Sequence, residues 1–298
     1  MKKALLLGIA SSFFFAFTFI LNRSMNLSGG NWIWSASLRY LFAFPIIALV
    51  IRQKYGFQNI HKEIRNHKKQ WLLWSIIGFG LFYTPLTFAG DNGESWLIAA
   101  SWQITIVMGI IIAPLFGKRI PYKNLIAAGI ILAGVFLLQL QNAAGASTSN
   151  LALTLLPILV AATAYPLGNR KMMELCKARI STIERVYGMI LCSLPFWCLL
   201  SLIGALDVGL PTKNQLLQSF LVALFSGILA TILFFKATDS VKYNQKQLAV
   251  VESTQSGEVL FTLFGGILLL GDPAPNLIGF AGILLIIIGM ILNSLISS

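Results

Sequence analysis

Residues 125–140 read LIAAGIILAGVFLLQL, and residues 278–293 read IGFAGILLIIIGMILN. Neither run contains a charged residue, and each approaches the ~20 residues that a helix needs to cross hydrocarbon about 30 Å thick. The whole chain shares this character, because 57% of its 298 residues are hydrophobic and 11% are charged. In soluble domains, about 45–50% of residues are apolar and about 25% are charged. A water-soluble fold could not bury so much apolar surface, so the sequence predicts an all-α integral membrane protein.

Short polar breaks divide the chain into ten apolar runs, each near the length of a membrane-spanning helix. The connections between them are too short for a separate soluble domain, so residues 1–298 are predicted to form a single transmembrane domain. The predicted spans are residues 4–24, 32–51, 71–90, 95–116, 122–140, 151–170, 182–204, 215–236, 247–270 and 276–296.

Lysine and arginine residues fall mainly in every second loop, which is the pattern of loops that stay in the cytoplasm. The loop 52–69 is strongly basic, the loop after the fourth run contributes Lys118 and Arg119, and the loop after the eighth contributes Lys242. Both termini are therefore predicted to be cytoplasmic, in a bacterial-type inner membrane. The formal charge of +12 is explained by this orientation, and no nucleic-acid partner is expected.

Similar segments recur in the same order in the two halves of the chain. Asn22-Arg23-Ser24-Met25 matches Asn169-Arg170-Lys171-Met172, and Ser101-Trp102-Gln103 matches Ser253-Thr254-Gln255. Between these segments, Arg39 and Tyr40 have a counterpart in Arg185 and Tyr187. Five helices per half is an odd number, so the second repeat must cross the membrane in the opposite sense. This inverted repeat places a substrate site between the halves, near the bilayer midplane. The predicted parts are repeat one at about 1–141, a joint at 142–150 and repeat two at about 151–298.

Two glycine-rich segments resemble the end-of-repeat signature of the drug/metabolite transporter superfamily. These are Phe116-Gly117-Lys118-Arg119-Ile120-Pro121, with the run 129–135 after it, and Leu269-Leu270-Gly271-Asp272. The resemblance covers the chain and is strongest to the ten-helix, EamA-like branch. The Asn-Arg-x-Met ending of the first run is similar to the multidrug-resistance efflux subgroup. The resemblance implies a transporter whose fifth and tenth helices are peripheral to a central cavity.

Charged residues inside apolar runs are costly and are functional candidates. Glu258 lies near the middle of the ninth run and could alternately hold a proton or a cationic substrate, or act as a structural partner. Glu252 lies in the same run on a face about 120° away from Glu258. Arg39 could bind a substrate carboxylate or pair with a buried glutamate. Arg185 is shallower, and its side chain is expected to extend to the lipid headgroups.

Aromatic and amide side chains within the runs complete the predicted substrate site. Aromatic rings in a cavity stack on flat or cationic ligands. Trp71 and Trp96 lie instead at span ends and are expected to form part of an aromatic belt at the membrane surface. The predicted site residues other than the charged ones are Gln103, Gln255, Trp102, Tyr83, Tyr165 and Tyr187.

The sequence contains no phosphate-binding GxxxxGK[ST] loop and no metal-ligand spacing, so catalysis, a metal and a cofactor are not expected. It predicts a secondary active transporter that exports small amphipathic compounds, drug-like or cationic, in exchange for protons. Alternating access around a central cavity and a functional monomer in membrane lipid are expected. One alternative is an amino-acid or other metabolite exporter or uniporter in which Arg39 binds a carboxylate and Glu258 is structural. Another is a lipid-handling membrane protein.

Overall fold

The computed structural model describes residues 1–117, 120, 122–145, 148–177, 179–241 and 243–297. These residues form helices and connecting segments without a β-strand, and nine of their helices are long and apolar enough to cross a membrane. The predicted all-helical membrane class is therefore confirmed. In chain order the helices are α1 (Lys2–Leu27), α2 (Trp32–Lys54), α3 (Gln58–Asn66), α4 (Lys68–Asp91), α5 (Ser95–Ile111), α6 (Tyr122–Gly145), α7 (Thr148–Cys176), α8 (Thr182–Asp207), α9 (Lys213–Thr238), α10 (Val250–Leu270) and α11 (Leu277–Ser297).

Some residues singled out in the sequence lie outside the described residues. They are Lys118, Arg119 and Lys242 of the predicted basic loops, Pro121 of the end-of-repeat signature, and residues 146 and 147 of the predicted joint.

The predicted spans agree with the observed helices to within a few residues at most ends, with one exception. The fourth predicted span, 95–116, corresponds to α5, which is shorter than the nine long helices and is followed by a 3-10 turn, Ala113–Phe116. That α5 crosses the membrane as a tenth span stays a prediction, as do the inverted repeat and the cytoplasmic termini.

Side chains at the helix starts explain where several spans begin. The Asn31 side chain accepts a hydrogen bond from the backbone N–H of Ile33 at 2.8 Å, in the first turn of α2. Ser181 and Glu184 form a reciprocal capping box at the start of α8. Such caps satisfy backbone N–H groups that have no partner within the helix. Polar residues thus fix these helix ends within apolar surroundings.

Helical irregularities occur in both halves of the described chain, and α10 contains a π segment, Gly266–Leu270, that has no counterpart in α5. The third span of each half contains a π-helical segment, Ile76–Gly80 in α4 and Ala223–Ala230 in α9. The α-helical pattern of α5 is interrupted at Gln103, and that of α10 at the 3-10 turn Thr254–Ser256. These two interruptions fall in the segments that match each other in sequence, as expected for two related halves.

The helix packing follows the same pairing. Helix α1 packs against α9 and α10, whereas its counterpart α7 packs against α4 and α5. Helices α6 and α11 pack mainly against each other, and a Cβ at Gly134 would lie 2.6 Å from the carbonyl oxygen of Gly282. Their backbones therefore touch, as the glycine-rich runs predict.

Helix α3 was not predicted, because the loop that contains it is dominated by charged residues. Ile60 of α3 is fully buried, and Glu63 accepts hydrogen bonds from Arg179 Nε at 3.1 Å and Nη2 at 2.5 Å. The hydrogen bond to Glu63 raises the pKa of Arg179 above the ordinary arginine value. One buried isoleucine and a two-point ion pair thus hold this short helix against the bundle.

Candidate functional site

Arg39 of α2 extends into the interior of the bundle and contacts three other helices. Its Nη1 donates to Thr18 Oγ1 at 3.4 Å, and its Nη2 donates to Ser226 Oγ at 3.1 Å. The two hydroxyl groups also share a hydrogen bond with each other. The guanidinium carbon lies 4.2 Å from the ring centre of Tyr83. Among the described residues Arg39 forms no salt bridge, so its direct contacts are all with neutral groups.

An aromatic platform supports Arg39. Tyr83 is fully buried, and its hydroxyl exchanges hydrogen bonds with the Asn22 side chain at 3.1 and 3.3 Å. Tyr40 stacks on Trp197 with a ring-centre distance of 4.4 Å and an interplanar angle of 8°. Tyr40 also meets Tyr83 edge to face at 5.7 Å. The ring beneath the guanidinium is therefore held from several sides.

A second aromatic cluster adjoins the first through Phe82. The Phe82 ring centre lies 4.8 Å from that of Tyr165 and 5.1 Å from that of Trp102. Tyr165 and Trp102 meet edge to face at 5.7 Å. Tyr165 stays 36% exposed although it lies among these rings, whereas Trp102 is 9% exposed. Tyr165 is therefore the more accessible ring of the pair.

Glu258 lies in the first turn of helix after the interruption of α10. Its half-buried side chain interacts electrostatically with Arg39 and with Tyr165. Within the described part of the chain, its carboxylate has neither a salt bridge nor a hydrogen bond. Five predicted residues are thus brought together, and we call them the central site: Arg39, Tyr83, Trp102, Tyr165 and Glu258.

The matched glutamines of the two interruptions differ in their bonding. Gln103 is buried, and its Nε2 donates to the Ala99 carbonyl oxygen of its own helix at 3.1 Å. The Gln255 Nε2 atom is buried and has no hydrogen-bond partner among the described residues. The Gln103 amide thus completes the local helix geometry, whereas the Gln255 amide nitrogen has no corresponding bond to any residue that the structure describes.

The structure places Glu252 and Tyr187 apart from the central site. Glu252 is exposed. Tyr187 is 3% exposed, its hydroxyl lies 3.3 Å from His61 Nε2, and its ring packs against Phe44 and Phe57. This cluster connects α3 to α8. Across the residues that the structure covers, no group of three or more His, Cys, Asp or Glu side chains could hold a metal ion.

The expectation that Arg185 extends to the lipid headgroups stays a prediction. The residue is half-buried, and its buried Nε atom has no hydrogen-bond acceptor among the described residues. It interacts electrostatically with Tyr165. Sequence reasoning missed Thr18 and Ser226, since hydroxyl residues are common in spanning helices and give no signal. Arg185 could have been found through its match to Arg39 in the repeat.

Two polar clusters tie the ends of the bundle. Asp272 Oδ2 accepts hydrogen bonds from the backbone N–H of Ser95 at 3.0 Å and from its hydroxyl at 2.7 Å. Arg23 Nε lies 3.4 Å from Asp272 Oδ1. At the matched position, Arg170 Nη1 donates to the Gly109 carbonyl oxygen at 2.6 Å. One arginine is thus paired with a carboxylate, and its counterpart with backbone.

A small apolar cleft of about 30 Å³ lies between α2, α8 and α9. Its lining contains no charged side chain, so it suits an apolar guest. The lining residues are Ile47, Val50, Ile183, Val186, Gly227, Ile228, Thr231, Ile232 and Phe235.

The fold and the central site define a multi-pass membrane protein with charged and aromatic groups among its spanning helices. Residues 2–298 match the EmrE family, described as "Putative multidrug resistance efflux transporter". The chain belongs to this transporter family, which confirms the resemblance found from the glycine-rich motifs.

Relatives and one solved structure agree with this assignment of family and fold. The chain is 48% identical over 308 residues to "Uncharacterized protein YjlA" of Bacillus subtilis (strain 168), covering 99% of this chain and 95% of that protein. It is 45% identical over 266 residues to "Uncharacterized 42.1 kDa protein in intracellular alkaline protease 3'region" of Shouchella clausii, covering 86% and 70%. One crystal structure matches with a TM-score of 0.65 at 13% identity, over 100% of this chain and 98% of the other. That likeness shows the fold alone.

Proposed function

We propose that the protein is a secondary active transporter that exports small amphipathic organic compounds in exchange for protons. The observation that carries this proposal is the unpaired carboxylate of Glu258, which is half-buried within a spanning helix and interacts electrostatically with Arg39 and Tyr165. An ionised group in apolar surroundings is costly unless it is paired. Glu258 therefore exchanges a proton for the bound compound.

The aromatic groups of the central site support an amphipathic substrate. Tyr165 is the more accessible ring of the pair that it forms with Trp102, and the Tyr83 ring is already covered by Arg39. Ring faces bind flat apolar groups, and the neighbouring charges fix the polar end of a ligand. The substrate thus lies with its apolar part on Trp102 and Tyr165.

The paired irregularities support alternating access between two inverted halves. Both third spans carry a π segment, and both fourth spans are interrupted at matched residues. Irregular helices at corresponding positions let one half move against the other around a fixed site. We further propose that the monomer is the functional unit, in the inner membrane with both termini in the cytoplasm. Export as the direction follows the family description.

The experiment measures proton flux in vesicles that contain the purified protein and a trapped pH indicator. The probes are phenethylamine, phenylalanine and 3-phenylpropionate, which share a phenylethyl group and differ in charge. We expect at least one probe to drive proton flux in the wild type, and Glu258→Gln to abolish it. Glu252→Gln is the matched control, because Glu252 lies on the same helix and is exposed. If none of the three probes drives proton flux in the wild type, or if flux is unchanged in Glu258→Gln, proton exchange at Glu258 is contradicted.

A lipid-handling function is a second candidate, favoured by the apolar cleft between α2, α8 and α9. Phospholipid chains are apolar and would fit a lining without charges. Movement of a fluorescent phospholipid between the leaflets of the same vesicles tests this function. Lipid movement that persists in Glu258→Gln, with no probe-driven proton flux in the wild type, would favour it over export of small compounds.

A further inference from the structure

We propose that the compounds bound at the central site carry a carboxylate beside an aromatic or apolar group, with Arg39 and Arg185 as the anion-binding side chains. This inference rests on the proposed function, because it names the substrate class of the same site.

The charged residues that act on Tyr165 favour an anionic ligand. Tyr165 interacts electrostatically with Glu258, Arg185 and Arg39. The described charged groups that act on this ring are thus two cations and one anion. Like charges repel strongly where water is excluded. A purely cationic compound would therefore add to an excess of positive charge, whereas a carboxylate would offset it.

The hydrogen bonds of Arg39 also favour a carboxylate ligand. Its two terminal nitrogens are hydrogen-bonded to the hydroxyls of Thr18 and Ser226, which are neutral acceptors. Hydrogen bonds between ionised groups are roughly twice as strong as neutral ones, and arginine binds carboxylates at two points. A carboxylate that displaces one hydroxyl therefore gains a stronger bond than the one it replaces.

Within the described chain, Arg185 lacks an acceptor that a ligand carboxylate could supply. Its Nε atom is buried and finds no acceptor among the described residues, although such a loss costs about 1–3 kcal/mol. A ligand carboxylate would supply the missing acceptor. Arg185 also matches Arg39 in the repeat, so each half of the protein contributes one guanidinium to the interior.

The remaining groups define the rest of the compound. Trp102 and Tyr165 provide the apolar surface, and the unpartnered Gln255 Nε2 provides a further donor. Glu258 accommodates an amine if the compound has one. A zwitterion with an aromatic side chain therefore offers a carboxylate to the arginines and an amine to Glu258, and an aromatic carboxylate pairs with the arginines alone.

The test compares binding of the three phenylethyl probes to the purified full-length protein in detergent by calorimetry. We expect phenylalanine and 3-phenylpropionate to bind at least tenfold more tightly than phenethylamine. Arg185→Gln should weaken binding of both carboxylates about tenfold, as for loss of one hydrogen bond to a charged group, and should not weaken phenethylamine binding, because it removes a positive charge. Arg52→Gln is the control, since Arg52 is exposed at the end of α2.

Arg185→Lys guards against a folding defect, because it keeps the charge and loses the planar fork. We expect it to unfold at the wild-type temperature and to bind the carboxylates with intermediate affinity. Tightest binding of phenethylamine, binding of none of the probes, or equal carboxylate binding by the wild type and Arg185→Gln overturns the proposal. Proton flux driven by phenethylamine alone would overturn the substrate class and leave transport standing. Selective carboxylate binding without proton flux would overturn proton-coupled transport and leave the substrate class standing.

Discussion

The guanidinium of Arg39 lies 4.2 Å above the ring of Tyr83, and the Tyr83 hydroxyl is bonded to Asn22. A single buried tyrosine thus uses its face for a cation and its hydroxyl for a neighbouring helix. A desolvated cation over an aromatic face gains about 2 kcal/mol or more. The ring and the hydroxyl of Tyr83 therefore have separable roles.

Tyr83→Phe and Tyr83→Leu separate these two roles. Tyr83→Phe keeps the ring, so probe-driven proton flux should stay within about threefold of the wild type, with unfolding easier by about 1 kcal/mol. Tyr83→Leu removes the ring, and flux should fall at least tenfold as Arg39 loses about 2 kcal/mol of stabilisation. Vesicle flux and thermal unfolding in detergent provide the two readouts. Equal flux in both variants would show that the ring does not position Arg39.

Asp272→Asn tests the polar cluster that joins α1, α5 and α10. The carboxylate accepts two hydrogen bonds from Ser95 and pairs with Arg23. An asparagine retains one acceptor and loses the charge, so the free energy of unfolding should fall by about 1–3 kcal/mol. Asp207→Asn is the control, because Asp207 is exposed and should change stability by less than about 0.5 kcal/mol. Equal thermal shifts for both variants would contradict this role of Asp272.

Gly168→Ala tests the crossing of α4 and α7. A Cβ at Gly168 would meet the backbone of Gly78 and would lie 3.0 Å from the Trp74 carbonyl oxygen. Overpacking against backbone costs about 1–3 kcal/mol, and we expect that loss in thermal unfolding. Gly129→Ala is the matched control, because an added methyl there meets nothing within 4 Å. Alanine favours a helix by about 1 kcal/mol over glycine, so the control should be neutral or more stable.

Gln255→Met tests whether Gln255 is kept for a ligand. Its buried Nε2 has no partner among the described residues, and removal of such an unsatisfied group stabilises by about 1 kcal/mol or more. We expect a higher unfolding temperature together with weaker binding of 3-phenylpropionate. Gln103→Met should lower the unfolding temperature, because the amide of Gln103 is bonded to Ala99. A destabilised Gln255→Met protein with unchanged binding would assign Gln255 a structural role.

The fold class and most spans could be predicted from the sequence because a long apolar run has few solutions in lipid. Its backbone must satisfy its own hydrogen bonds, and a helix does so. The interruption at Gln103 was invisible, since the residues around it are as apolar as a regular span. Helix α3 was missed for the opposite reason, because Ile60 is a single anchor among charged residues. Composition alone does not reveal either case.

The central site could be predicted in part. Glu258 and Arg39 stood out because a charge within an apolar run is rare, and the structure brings them close. Trp71 and Trp96 were expected at the membrane surface, and this expectation was wrong, because they are 0% and 2% exposed. Position along a helix does not specify which face meets a neighbour. That information comes from packing between helices that are distant in the sequence.

The π segments of α4 and α9 each hold a surplus residue within a helix, since their hydrogen bonds span five residues instead of four. Relocating that residue by one turn regenerates an α-helical turn behind it, so no backbone hydrogen bond is permanently lost. Each residue of an α-helix adds about 100° of rotation and 1.5 Å of rise. One end of such a span can therefore rotate and shift relative to the other end by that amount while the helix stays continuous. Ser226, which is hydrogen-bonded to both Thr18 and Arg39, lies within the π segment of α9. The same rotation would therefore separate both residues from the Ser226 hydroxyl.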